Sequence, residues 1–247
     1  MQLENLPFSI RFILSTFFIN MFFLAGFLSG EELDITLRFD PITSESGITS
    51  TVTYSMLQDS KGFLWFGGEV GLNRYDGYEF RNYRNDPTDS TSLNEEFLMH
   101  ISEDSFQNLW LSSRSGLTRF DPRTEVFHNL VYDSSFSKIS SLNIHKTLPL
   151  PNNKLLIFSR LNGPQLFLLH TNPDGSEKSV ENITSVLRLE SPDSMLRAVD
   201  VSIDQRGQVW ICDFKQGIFK LDIIGKSLSK LDLYDSDRKK LSYSESF

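Results

Sequence analysis

Residues 57–80 read LQDSKGFLWFGGEVGLNRYDGYEF, and residues 102–127 read SEDSFQNLWLSSRSGLTRFDPRTEVF. Asp59, Trp65, Gly71, Leu72, Arg74 and Asp76 of the first stretch return 45 residues later as Asp104, Trp110, Gly116, Leu117, Arg119 and Asp121. Six matches at one offset mark an internal repeat, and a period of this size belongs to stacked or radial architectures. A third copy, residues 203–222, keeps Asp204, Trp210, Gly217 and Asp222 with one residue inserted before the glycine. Between the second and third, residues 151–170 hold a degenerate copy: a polar turn, an apolar strand, Gly163 and a second apolar strand, with Leu156 where the tryptophan would stand.

Each copy decodes into four short strands. In the first, Thr53 to Gln58 alternates, Asp59 to Gly62 is a turn, Phe63 to Gly67 is a strand, and Gly68 to Gly71 is a tight connection. Leu72 to Tyr75 follows, then an Asp76-Gly77 hairpin signal and a last strand near Tyr78 to Tyr83. Units of this length built from four antiparallel strands are propeller blades. The sequence therefore predicts an all-β chain: a partial β-propeller of about four four-stranded blades, near residues 51–83, 97–130, 139–171 and 197–233, within a region 31–247 whose ring is incomplete. Trp65, Trp110 and Trp210 fall mid-strand, where a large ring fills the space between blades and its N–H can reach a partner. Asp76 and Asp121 read as turn-capping carboxylates, and Cys212 as a small buried hydrophobe on a strand.

The composition fits a folded chain: 247 residues, 39% apolar, with 21 Phe for a core. A net charge of -8 without a basic cluster argues against nucleic acid. A single cysteine rules out internal disulfides, and no Cys–His spacing suits zinc. Phe12 to Leu28 is an almost unbroken apolar run ending at Ser29, Gly30, Glu31 and Glu32, so residues 1–30 read as a signal peptide or an uncleaved membrane anchor, with a core helix as the remaining reading. Leu33 to Phe39 suits a strand preceding the first blade, and residues 234–247 resemble the linker at 83–97.

QDSKGFLWFGGEVGLNRYDGYEF and SEDSFQNLWLSSRSGLTRFDP, with the linker NDPTDSTSLNEE at 85–96, resemble the two-component regulator propeller family. Gly68 departs from the threonine usual there, and Ser112 and Ser113 replace glycine and threonine. The resemblance implies a periplasmic sensor propeller of a hybrid histidine kinase or diguanylate cyclase receptor, of which this chain would be the N-terminal part. Such propellers take a small molecule or glycan as ligand. It also implies, as partners, further C-terminal blades and a transmitter, or another copy of the chain. No kinase, cyclase or receiver sequence occurs in the 247 residues.

For the site, Glu69, Arg114 and Lys215 occupy comparable blade tips and are the candidate ligand-binding residues, with a solvated turn as the plain alternative. No catalytic residue, metal ligand or cofactor is expected. There is no phosphate loop, no nucleophile elbow and no zincin motif, and His100, His128, His145 and His170 are scattered. Two other functions stay open: an exported scaffold that self-associates through open blade edges, and an exported propeller enzyme acting on carbohydrate.

Overall fold

The computed structural model describes residues 41–130, 143–160, 163–187 and 196–231. Residues 1–30, expected to be a signal peptide or membrane anchor, the strand expected at Leu33 to Phe39 and the tail 234–247 lie outside the described residues. Among the described residues, sixteen strands form four separate four-stranded antiparallel sheets, each in sequence order. The first blade holds β1 Thr53–Gln58, β2 Leu64–Gly68, β3 Leu72–Tyr75 and β4 Phe80–Tyr83. The second holds β5 Leu98–Glu103, β6 Leu109–Ser113, β7 Leu117–Asp121 and β8 Val126–Asn129. The third holds β9 Ile144–Leu150, β10 Lys154–Ser159, β11 Gln165–Thr171 and β12 Glu177–Asn182. The fourth holds β13 Ala198–Ile203, β14 Val209–Asp213, β15 Gly217–Asp222 and β16 Ser227–Lys230. In the third blade β12 lies past residue 171, where the sequence reading of that unit stops. Its sequence EKSVEN has no apolar alternation, and its place is set by pairing with β11.

Three apolar cores fill the spaces between consecutive blades, as the two-faced pleat requires when neighbouring residues point to opposite sides. The first joins Trp65 and Leu72 to Leu98, Ile101, Leu109, Leu111 and Phe120. The second joins Trp110 and Leu117 to Ile144, Leu155, Ile157 and Phe167. The third joins Leu156, Phe158 and Leu166 to Val201, Val209, Ile211 and Phe219. Strand β10 shows the alternation in one line: Leu155 and Ile157 face the second blade, Leu156 and Phe158 the fourth.

The repeated Asp and Trp act as one unit. Asp59 Oδ1 accepts the N–H groups of Lys61 and Phe63, both at 2.9 Å, and so closes the β1–β2 turn. Its Oδ2 accepts the indole N–H of Trp65 at 2.7 Å. Asp104 repeats the arrangement with Phe106, Asn108 and Trp110, and Asp204 with Arg206, Gln208 and Trp210. A buried indole N–H needs an acceptor, and a buried carboxylate needs donors. The third blade drops both partners together, carrying Leu150 and Leu156 at the two positions. Asp76 caps its hairpin as expected, accepting from Tyr78 and Glu79, and Asp121 accepts from the Arg123 N–H and side chain, which holds its carboxyl down at about 2.

Cys212 corrects the sequence reading: it is exposed. It sits on the face of β14 that points away from the third blade, while its neighbours Ile211 and Asp213 are buried.

Candidate functional site

The linker at 85–96 is a built loop. Asp86 Oδ1 accepts from both the N–H and the hydroxyl of Thr88, Asp89 Oδ1 does the same for Thr91, and Leu93 is driven into the first core. This loop runs along the tips of the β2–β3 and β6–β7 connections. The Gly71 N–H donates to the Glu96 carbonyl at 2.9 Å, and the Ser115 N–H to the Glu95 carboxylate at 2.9 Å. The tips and the blade-to-blade linker therefore share one face. Gly71, with φ at +68°, has no room for a side chain, since a Cβ would stand 2.3 Å from the Tyr83 carbonyl oxygen.

On that face four side chains from two blades meet. Glu69 is held by its backbone N–H, which donates to Ser50 Oγ at 3.1 Å. Its carboxylate accepts the Tyr54 hydroxyl at 3.3 Å. The Tyr54 ring lies against Phe97, centroids 5.1 Å apart and tilted by 40°. Over Phe97, at 4.2 Å from the ring centre, stands the Arg114 guanidinium, a cation–π contact that fixes a long side chain otherwise free to wander. Tyr54 is half exposed, and Glu69 and Arg114 are exposed. The result is a surface patch with two aromatic rings, a carboxylate and a guanidinium. Such a patch can stack on an apolar ring face while hydrogen-bonding hydroxyl or carboxylate groups around it.

Two of the three sequence candidates, Glu69 and Arg114, thus come together through Tyr54 and Phe97. Lys215 does not join them: it stands at the equivalent tip of the fourth blade, with the third blade between, and its N–H donates to Asp213 at 2.8 Å. Tyr54, the second residue of β1, and Phe97, which immediately precedes β5, escaped the sequence reading because each is one aromatic residue among many. Their place at equivalent inner-strand starts, next to the tips, was the available signal. Among the described residues no group of three or more His, Cys, Asp or Glu side chains is arranged to hold a metal ion, and no helix there is long and apolar enough to cross a membrane.

Residues 46–69 match the family model described as two component regulator propeller. A curated relative, Histidine kinase P4 of Formosa agariphila, is 39% identical over 72 residues, which are 29% of this chain and 5% of that protein. Among solved structures, the extracellular domain of BT4673 from B. thetaiotaomicron superposes with a TM-score of 0.54 at 22% identity, over 82% of this chain and 30% of that one. PorZ, a bacterial surface component of the type-IX secretion system of Porphyromonas gingivalis, gives a TM-score of 0.50 at 14% identity, over 68% and 24%. The likeness in these structures is one of fold, and the chain spans under a third of the length of each of these three proteins.

Proposed function

We propose that this chain, which carries the two-component regulator propeller repeat, is the ligand-sensing propeller module of an exported bacterial receptor of the two-component or cyclic-di-GMP type. The ligand is a glycan or similar polar small molecule read on the tip face. The observation that carries the reading is the Tyr54–Glu69–Phe97–Arg114 patch, placed where loops rather than core residues set the surface. Sugar rings present an apolar face and a rim of hydroxyls, and the patch offers aromatic rings beside charged hydrogen-bonding groups. The patch is shared between blades: Tyr54 and Glu69 come from the first, Phe97 and Arg114 from the second. A ligand touching both would favour one relative setting of the two blades, which is the differential contact a signal requires. The apolar run at 12–28 and the relative named as a histidine kinase support export and signalling.

The test is a binding screen of the purified chain against neutral and uronic-acid oligosaccharides, run beside Phe97→Ala and Arg114→Ala. At least one oligosaccharide binds the parent and loses about tenfold or more with either variant, a stacking or charge-assisted contact being worth about 1–3 kcal/mol. Binding that both variants retain in full places the ligand elsewhere and refutes the reading.

A further inference from the structure

The third blade lacks the aspartate and tryptophan of its neighbours, and the space beside it changes accordingly. Position by position, Asp104, Phe106, Asn108 and Trp110 of the second blade correspond to Leu150, Asn152, Lys154 and Leu156 of the third. Between the second and third blades Phe106 and Trp110 fill the gap beside the β5–β6 turn, leaving about 10 Å³. The β11–β12 turn of the third blade closes over them: a Cβ on Gly175 would stand 3.0 Å from Phe106 Cβ and 2.7 Å from Asn108 Nδ2. One interface further on, between the third and fourth blades, the same place is an open cleft of about 440 Å³. Its two walls are consecutive blades joined by the third apolar core, so the cleft is internal to the arc of blades rather than at either end.

The walls are apolar, and one amine faces them. Leu150, Val209, Leu221 and Ile223 line the cleft, with Val209 and Leu221 buried in the third core. Lys154 lines it as well, and strand alternation puts its side chain on the side of Leu156 and Phe158, facing the fourth blade. Lys220 and Asp222 border the cleft, but their side chains share with Trp210 the face turned away from the third blade. In the second blade Asn108, the counterpart of Lys154, donates to the Asp104 carboxylate at 3.3 Å. In the third blade Leu150 has taken that carboxylate away, so Lys154 stands beside hydrocarbon where its counterpart meets an anion. Among the described residues Lys154 Nζ has no hydrogen-bond or ion-pair partner, and the Glu181 carboxylate, which its charge reaches, accepts from Lys226.

We propose that this cleft binds a small carboxylic acid with an aromatic or alicyclic body, its ring on Leu150, Val209, Leu221 and Ile223 and its carboxylate on Lys154 Nζ. The ligand supplies from outside the two groups that the third blade lacks, a flat ring and a carboxylate. The volume lies in the range of small-molecule pockets. One ammonium beside apolar walls selects a monoanion, because a second charge would rest on hydrocarbon without a partner. The cleft opens beside the β9–β10 and β13–β14 turns, on the face opposite the tip patch, and so stands apart from the site proposed for sugars.

The test is titration calorimetry of the purified chain with benzoate, phenylacetate and cyclohexanecarboxylate, each beside its uncharged amide. At least one acid should bind, about tenfold or more tighter than its amide, as a charge-assisted contact requires. Lys154→Met keeps the stem and removes the charge, and should bring the acid down to the level of the amide. Lys178→Met, at an exposed lysine that does not line the cleft, should leave acid binding intact. Leu150→Trp fills the cleft and should abolish binding of acid and amide alike while the circular dichroism spectrum stays that of the parent. No binding by any of the three acids through the millimolar range, equal affinity for acid and amide, acid binding retained in Lys154→Met, or an equal loss in Lys178→Met would each overturn the proposal.

Discussion

Replacing Asp104 and Trp110 by leucine, singly and together, separates the repeat's chemistry from its packing. Asp104→Leu removes the acceptor of the Trp110 indole, 2.8 Å away, and of the Phe106 and Asn108 N–H groups, each 2.9 Å away. The indole is fully buried and left without a partner, while water reaches the turn, so the cost is about 3 kcal/mol. Trp110→Leu keeps an apolar group between the blades but leaves a gap and strips the carboxylate of one donor, at roughly 2–3 kcal/mol. If the two residues act as a pair, the double variant should cost less than the sum by about 1.5–3 kcal/mol, the worth of a charge-assisted hydrogen bond. The third blade has already made this double exchange, with Leu150 and Leu156. Urea unfolding followed by far-ultraviolet circular dichroism at one protein concentration reads all four corners of the cycle. Costs that add to within about 0.5 kcal/mol would refute the coupling, and with it the account of why the third blade lost both residues.

Gly71→Ala should destabilise by roughly 2–3 kcal/mol in the same assay, since it places a Cβ against the Tyr83 carbonyl oxygen at a positive φ. Arg119 and Glu177 form an ion pair across the second and third blades at 2.7 Å, with side chains 10% and 13% exposed, so Glu177→Ala should cost about 3 kcal/mol while Glu181→Ala, at an exposed pair with Lys226, should cost under about 1 kcal/mol. Burial, chiefly, and the Lys146 charge lower the His100 pKa to about 4. The unfolded chain therefore takes up a proton between about pH 6.5 and 4 that the folded chain refuses. His100 then contributes nothing unfavourable above pH 6.5 and costs about 3 kcal/mol by pH 4, and His100→Gln should flatten that fall in the unfolding free energy.

What the sequence made legible follows from what repeats. An Asp six residues before a Trp, with a polar turn between, locates the first two strands and their turn in three blades, because one carboxylate serves turn and ring alike. Where that pair is missing the apolar runs of β10 and β11 still announce two strands buried on both faces. The outermost strand β12 was not legible, since EKSVEN is polar and owes its place to a neighbour. Cys212 was misplaced for a related reason: strand alternation gives two faces but does not say whether a blade lies over each. In the site, Glu69 and Arg114 could be found as tip residues of equivalent turns. Tyr54 and Phe97, which join them, depend on inner-strand starts from two blades converging, a tertiary fact that no local pattern carries. Lys215 has the same place in the repeat and a different neighbourhood, so repeat position alone overstates the site.

The tip face as ligand site is tested most directly by amide hydrogen exchange of the chain with and without an oligosaccharide found to bind it. The account predicts slowed exchange confined to the β2–β3 tip at 67–72, the residues around Phe97 and the β6–β7 tip at 113–116. Protection centred on the fourth blade, or on the opposite turns at 59–62 and 104–108, would contradict it.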